Sequence, residues 1–267
     1  MGISEVDVQV ENKVVVVTGG GSGIGEAMCR RFAADGARAV VVVDRDEKGA
    51  QRVADEVGGL AIVTDVGSER DVEAMVAQVS KEFGQIDVLC NNAGIGSGGN
   101  IIETPLDEWQ RQWDVNVMAH VYAARAVLPD MLERGEGYLL HTASMAGILT
   151  THGNAPYAVS KHAVVGLAEW LSVTYHDRGI QVFLLAPLGV DTPMLRASGD
   201  DFVDSGAVGP VRTAEEVADQ VTRAFAEERF LILTDPVAQT WIEQKTNDLE
   251  RWLKGMRRMQ TRMFGGG

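Results

Sequence analysis

The chain is poor in the features that mark several protein classes. Cysteine occurs twice in 267 residues, as Cys29 and Cys90, each inside an apolar stretch. Two such thiols do not make a disulfide framework and are expected to be core thiols in a reducing cytosol. A basic excess is also missing: 24 Lys and Arg face 38 Asp and Glu, for a formal net charge of -14. Such a surface repels a phosphate backbone, so nucleic acid is not the expected partner. No apolar run reaches the roughly 18 residues that would suggest a membrane-spanning helix. The opening MGISEVDVQVENK has acids and no apolar stretch of signal-peptide type, and Val6 stands where a myristoylation signal prefers Ser or Thr. These absences predict a soluble, cytoplasmic protein without membrane contact. No Pro/Ser-rich linker, charge block or internal repeat divides the chain, so residues 1–267 read as one domain.

What is present is an alternation. Short β-branched runs stand at 13–18, 39–44, 60–65, 86–91, 138–143, 180–186 and 230–234. Continuous apolar runs predict strands covered on both faces, hence a parallel sheet. Helix-like segments lie between them at about 23–35, 47–57, 68–83, 105–134, 155–178 and 213–227. They supply the crossovers that parallel strands need, so the fold class is α/β, a doubly wound Rossmann-type sheet with helices on both faces. From 236 to 264, apolar residues from Trp241 to Met263 recur at helical spacing opposite Arg251, Lys254, Arg257, Arg258 and Arg262. This predicts one amphipathic helix, read as a packing element rather than a membrane anchor.

The stretch TGGGSGIG, Thr18 to Gly25, follows the first strand and opens the first helix. Glycine lets backbone approach a pyrophosphate, and a helix N-terminus offers N–H groups and positive dipole to it. Gly19, Ser22, Gly23, Ile24 and Gly25 are therefore candidate cofactor contacts. Asp44 closes the second strand, where a carboxylate accepts from an adenosine ribose and repels a 2'-phosphate. Arg45 pulls the other way, but no basic residue occupies the Ser22 place, so NAD is favoured over NADP. Asp65 and Val66 end the third strand and either receive adenine or stand at the start of the next helix, where Ser68 or Asp65 is the N-cap. Asn91, Ala93 and Gly94, in NNAG, are small enough for a dinucleotide to lie against them.

Tyr157 and Lys161 stand one helical turn apart, Tyr157 thirteen residues beyond Ser144. Together with the glycine turn, Asp65-Val66, NNAG and Asn116, they resemble the short-chain dehydrogenase/reductase family over about Lys13 to Thr192. The resemblance implies a seven-stranded parallel sheet, a nicotinamide cofactor and an Asn116, Ser144, Tyr157, Lys161 active site. It also implies that Pro187, Val190 and Thr192 border the nicotinamide, with Thr192 holding its amide, and that a homodimer or homotetramer forms. One departure is Leu188, where the family usually has glycine; it is expected to narrow the pocket.

The chemistry follows from the residue types. A free phenol titrates near pH 10, and a nearby ammonium is expected to lower that value. Tyr157 is then the proton acceptor in oxidation and donor in reduction. Lys161 tunes it and grips the nicotinamide ribose, Ser144 binds the substrate oxygen, and the resemblance implies that Asn116 holds a relay water. Pocket walls are expected from Ile95 to Gly99, Met145 to Asn154 and Leu188 to Leu195, with 191–212 as a lid over an apolar secondary alcohol or ketone. No metal is called for. The rival functions are a 3-oxoacyl-type reductase and a non-catalytic NAD-binding sensor.

Overall fold

The computed structural model describes residues 10–97, 99–199, 206 and 208–265. The strands are β1 (Val14–Thr18), β2 (Ala39–Asp44), β3 (Leu60–Val63), β4 (Val88–Asn91), β5 (Gly137–Thr142), β6 (Ile180–Ala186) and β7 (Leu231–Leu233). They form a single parallel sheet in the order β3-β2-β1-β4-β5-β6-β7. The chain winds outward in one direction through β3 and in the other from β4, so the switch point lies between β1 and β4. Ligands of such sheets bind at the carboxyl edge there. All of β1 is buried, because both faces of the sheet are covered.

On one face pack α3 (Glu69–Phe83), α5 (Ala119–Arg134) and α7 (Ala155–Tyr175), which bury Met75, Met131 and Leu171 against β4 to β6. On the other lie α1 (Gly23–Ala34), α2 (Glu47–Val57) and α9 (Ala214–Ala226). There Phe225 meets Phe183 of β6 with ring centroids 4.3 Å apart. Local chemistry sets the helix ends. The Asp46 carboxylate accepts from Lys48 and Gly49 N–H to start α2, and Gly58, at φ 64°, ends it in a left-handed turn. Thr213 and Glu216 form a reciprocal capping box at α9.

Two expected helices differ in detail. The 105–134 segment is α4 (Leu106–Trp113), then a π turn over Asp114–Met118, then α5. The segment expected at 236–264 is two helices, α10 (Pro236–Asn247) and α11 (Leu249–Phe264). Asp248 breaks it with φ -154° and accepts a hydrogen bond from Arg251 N–H, so the carboxylate starts a new helix instead of continuing the old one. Two short helices, α6 (Ala146–Leu149) and α8 (Pro193–Ala197), follow β5 and β6. Of the expected lid, residues 200–205 and 207 lie outside the described residues.

Candidate active site

The glycine turn is held by backbone contacts that leave no room for side chains. Gly19 and Gly23 have φ of 66° and 55°. A Cβ on Gly25 would lie 2.1 Å from the Gly19 carbonyl oxygen, and one on Gly19 would lie 2.9 Å from Ala93 Cα. The turn and the end of β4 are thus one object, pinned by Thr18. Its hydroxyl accepts from Asn92 N–H at 2.9 Å and Ala93 N–H at 3.1 Å, and donates to the Cys90 carbonyl at 3.2 Å. Thr18 was not singled out as a site residue on sequence grounds; its place as the last residue of β1, directly before the glycines, is the signal that marks it. Ser22 is the N-cap of α1 but makes no side-chain cap, and Ile24 packs partly buried against the core.

Asp44 has two jobs already. One oxygen accepts from Gly21 N–H and the other from Asp46 N–H, each at 3.0 Å, which fixes the carboxylate beside the turn. A carboxylate offers about four acceptor sites, so capacity for ribose hydroxyls remains. Arg45 is exposed. Asp65 accepts from Gly67 N–H at 3.0 Å, whereas the N-cap of α3 is Ser68, so Asp65 is not the residue that caps this helix. Val66 is buried beside it. Asn91 is buried with its Nδ2 unpartnered, in a narrow cleft also lined by Thr18, Val66, Ala93 and His120. A Cβ on Gly94 would sit 3.3 Å from both Asn116 Oδ1 and Lys161 Nζ. Glycine cradle, fixed carboxylate and bare backbone together fit a dinucleotide.

The four residues expected to do chemistry converge at the carboxyl ends of β4 and β5. Asn116 lies in the π turn rather than on a regular helix. Its side chain accepts from Ile95 N–H at 2.8 Å and donates to the Ile95 carbonyl at 2.9 Å and to Ser160 Oγ at 3.1 Å. Ser144 accepts from Ala146 N–H at 3.1 Å, lies 3.5 Å from the Pro187 carbonyl and hydrogen-bonds Tyr157. Asn154 caps α7 through Tyr157 N–H at 3.1 Å, which fixes where the helix begins and which way Tyr157 leaves it. Lys161 is buried, donates to the Thr142 carbonyl at 3.0 Å, and stands 5.7 Å from the Tyr157 ring centre.

Electrostatics departs from expectation here. Burial pushes the Tyr157 phenol above its ordinary value, and the Ser144 hydrogen bond only partly offsets this. Lys161 is lowered to about 8 by burial. Burial therefore sets the direction for the phenol, and the Lys161 ammonium, which has three donors, gives one of them to Thr142.

Past β6, Val190 is buried and its carbonyl accepts from the Thr192 hydroxyl at 3.2 Å. Thr192 caps α8, and its Cγ2 would meet a Cβ on Gly23 at 3.1 Å, so this loop closes the trough against α1. Leu188 packs with Trp241 and Trp252 around Met145 and Ala186, anchoring the C-terminal helices. Sequence reading also passed over His120. Its Nδ1 is 2.9 Å from His141 Nδ1 in a buried pair, with His141 lowered to about 4 by burial and His120 held well below the ordinary imidazole value by burial and then by His141 and Lys161. Two histidines 21 residues apart carry no local signal of contact. Among the described residues no group of three or more potential ligands gathers for a metal.

A parallel sheet with a glycine cradle at its switch point and a Ser, Tyr, Lys cluster beside it defines a dinucleotide-dependent oxidoreductase architecture. The chain belongs to the short chain dehydrogenase family, which matches residues 13–202. It is 35% identical over 257 residues to a 1-deoxy-11-beta-hydroxypentalenate dehydrogenase of Streptomyces exfoliatus, covering 91% of this chain and 90% of the relative. A short chain dehydrogenase/reductase from Burkholderia phymatum, solved in complex with NAD, superposes with a TM-score of 0.83 at 30% identity, over 91% of this chain and 95% of that one. A 3-ketoacyl-(acyl-carrier-protein) reductase from Brucella melitensis, complexed with NADH, gives 0.76 at 34% identity, over 86% and 93%. The protein is an oxidoreductase of alcohol and ketone groups with a nicotinamide cofactor. No helix among the described residues is long and apolar enough to cross a membrane.

Proposed function

We propose that this protein transfers a hydride between NAD(H) and an apolar secondary alcohol or ketone, in the cytoplasm, as a homodimer or homotetramer. The observation that carries the reading is the convergence of Ser144, Tyr157 and Lys161 beside the Gly19 to Gly25 cradle. NAD, when bound, supplies the hydride acceptor. In oxidation the Tyr157 oxygen, as phenolate, takes the hydroxyl proton while the carbinol C–H bond breaks with both its electrons, leaving a ketone. In reduction the Tyr157 hydroxyl returns the proton to the alkoxide oxygen. Ser144, hydrogen-bonded to Tyr157, holds the same substrate oxygen as charge develops on it.

Because burial raises the phenol, ionising Tyr157 requires a favourable charge nearby; Lys161, with donors beyond the one given to Thr142, is the group to provide it while gripping the ribose. Asn116 is fixed beside Lys161 across Gly94, where a relay water fits its assigned role. Asp44 and the neutral Ser22 support NAD over NADP. Trp170 and Val173, 57% and 87% exposed on α7, support contact with a second copy, which light scattering tests. A 3-oxoacyl-type reductase is the second reading, favoured by the likeness to the Brucella melitensis enzyme.

The test is Tyr157→Phe, expected to lower kcat by about 10²- to 10⁴-fold while NADH binds as before. Unchanged turnover refutes the assignment. Titration of NADH against NADPH with the wild-type protein checks the Asp44 reading, and reduction of a 3-oxoacyl thioester faster than any simple ketone favours the second.

A further inference from the structure

The loop after β4 passes the proton-handling residues one after another. Gly94 lies beside Asn116 and Lys161, and Gly96, two residues on, lies beside Tyr157. The loop is fixed on both sides of Gly96. Ile95 bonds the Asn116 side chain through its N–H at 2.8 Å and its carbonyl at 2.9 Å, and the Ser97 carbonyl accepts from Gln112 at 2.8 Å. Facing this rigid stretch is Met194, from the short helix α8.

Nothing in the fold asks for glycine at position 96. Its φ is outside the left-handed region that Gly19 and Gly23 occupy. Nor would a Cβ clash there, as one on Gly25 would. It would stand 3.4 Å from Met194 Sδ, 3.7 Å from Met194 Cγ and 3.8 Å from Tyr157 Cδ2, all ordinary contact distances. The space beside Gly96 is therefore one methyl group wide, bounded by the Met194 thioether and the edge of the Tyr157 ring. It is open to entry, because Gly96 is exposed and Met194 is 44% exposed. Glycine where alanine would fit costs stability through the freedom of the unfolded chain, so its presence here leaves room for a group that the protein does not itself supply.

The walls define that group. Thioether and ring edge are apolar, and the width admits a methyl. A carbinol whose oxygen is held by Tyr157 and Ser144 carries its two carbon substituents past the edge of the tyrosine ring. On the Gly96 side a methyl group fits as the missing Cβ would, whereas an ethyl group must push Met194 aside.

We propose that Gly96 and Met194 bound a slot for the smaller substituent of the reacting carbon, with Met194 the specificity-determining residue, so that the preferred substrates are methyl ketones and the matching methyl carbinols. The proposal rests on the alcohol and ketone reading above and narrows it to substrates with one methyl arm.

Acetophenone and propiophenone differ by one methylene on that arm. With NADH, wild-type kcat/KM is expected to favour acetophenone by about tenfold or more, as one methylene does in a fitted pocket. Met194→Ala brings the ratio close to one by lowering KM for propiophenone, and Met194→Leu, which keeps the bulk, keeps the preference. Gly96→Ala fills the slot. It is expected to bind NADH as before and to melt no lower than the wild type, while kcat/KM for acetophenone falls about tenfold or more. A wild-type ratio near one, or a ratio that Met194→Ala leaves unchanged, overturns the proposal. A second measurement needs no turnover: NMR of the protein carrying methyl-¹³C methionine, with NADH and 1-phenylethanol, an alcohol the reduced cofactor cannot oxidise. The Met194 signal, identified by its loss in Met194→Leu, is expected to shift in the wild type and not in Gly96→Ala. No shift in the wild type overturns the proposal. A shift while neither ketone is reduced counts against the hydride-transfer reading alone.

Discussion

At β1 and β4 the trough is made of backbone. Gly19, Gly25 and Ala93 touch main chain to main chain, Thr18 bonds three peptide groups, and Asp44 accepts from Gly21 N–H. At the loops after β5 and β6 it is made of side chains from distant parts of the chain: Leu188 against Trp241, and His152 against Gln260, 108 residues away. Backbone binding needs only the absence of side chains, and recognises what every dinucleotide has in common. Side-chain binding can change with one residue, so it is where substrates are told apart.

The sharpest way to break this contrast is to put a methyl group into the backbone-built end. Gly25→Ala is expected to lose NADH binding, since its Cβ would fall 2.1 Å from a carbonyl oxygen that cannot move aside. It should also lower stability by about 1–3 kcal/mol, as overpacking does. Gly166→Ala, in α7 where a new Cβ meets nothing within 4 Å, is the control. There the expected change is a gain of about 0.4–1 kcal/mol, from the entropy of the unfolded chain. Urea melts and NADH titration on both variants check the pair; equal effects would mean that the turn is not backbone-limited.

A second test falls on Lys161, at the junction of the two regions. Burial lowers it from 10.5 to about 8, so between those values the unfolded chain holds more protons at this site than the folded one. The depressed value therefore costs stability below pH 8, and the cost fades as pH rises toward 10.5. Relative to a Lys161→Met variant, the wild-type protein is expected to gain up to about 1.4 kcal/mol per pH unit across that window. Parallel melts at several pH values would show no converging gap if the lysine were not buried as an ammonium.

The smallest expected effect is at the side-chain end. Asp248→Ala removes the cap of α11 and should cost about 0.5–2 kcal/mol, confined to that helix. Hydrogen exchange is expected to quicken over residues 249–264 and not over β1 to β4. Faster exchange throughout would make the C-terminal helices part of one cooperative unit with the sheet.

The same contrast explains what could be read in advance. The sheet, its parallel order and the glycine turn were legible because apolar runs and glycine spacings are local signals. The residues of the Tyr157 cluster were legible through their fixed spacing, but not their energetics: the partner of the Lys161 ammonium is the Thr142 carbonyl, which no pattern announces. The His120–His141 pair, the clasp of His152 by Gln260 and the inward packing of Leu188 are contacts between segments far apart in sequence. They depend on where the fold brings two helices, and that is known only once the fold exists. The break at Asp248 had a local signal, a capping carboxylate, outweighed by apolar periodicity that runs on through it.

The π turn at Asp114–Met118 sets the angular phase of two helices as well as the place of Asn116. Each residue in an α-helix turns the chain by about 100°, so the extra residue in a π turn lets α4 and α5 present faces that a straight α-helix would not combine. On one side Gln112 donates to the Ser97 carbonyl at 2.8 Å; on the other Ala123 and Val127 are buried against the sheet. Deleting one residue here would make the helix regular and swing Gln112 out of reach of Ser97, or drag the buried face of α5 off its strands. The irregular turn works as a splice between a wall of the pocket and a pillar of the core.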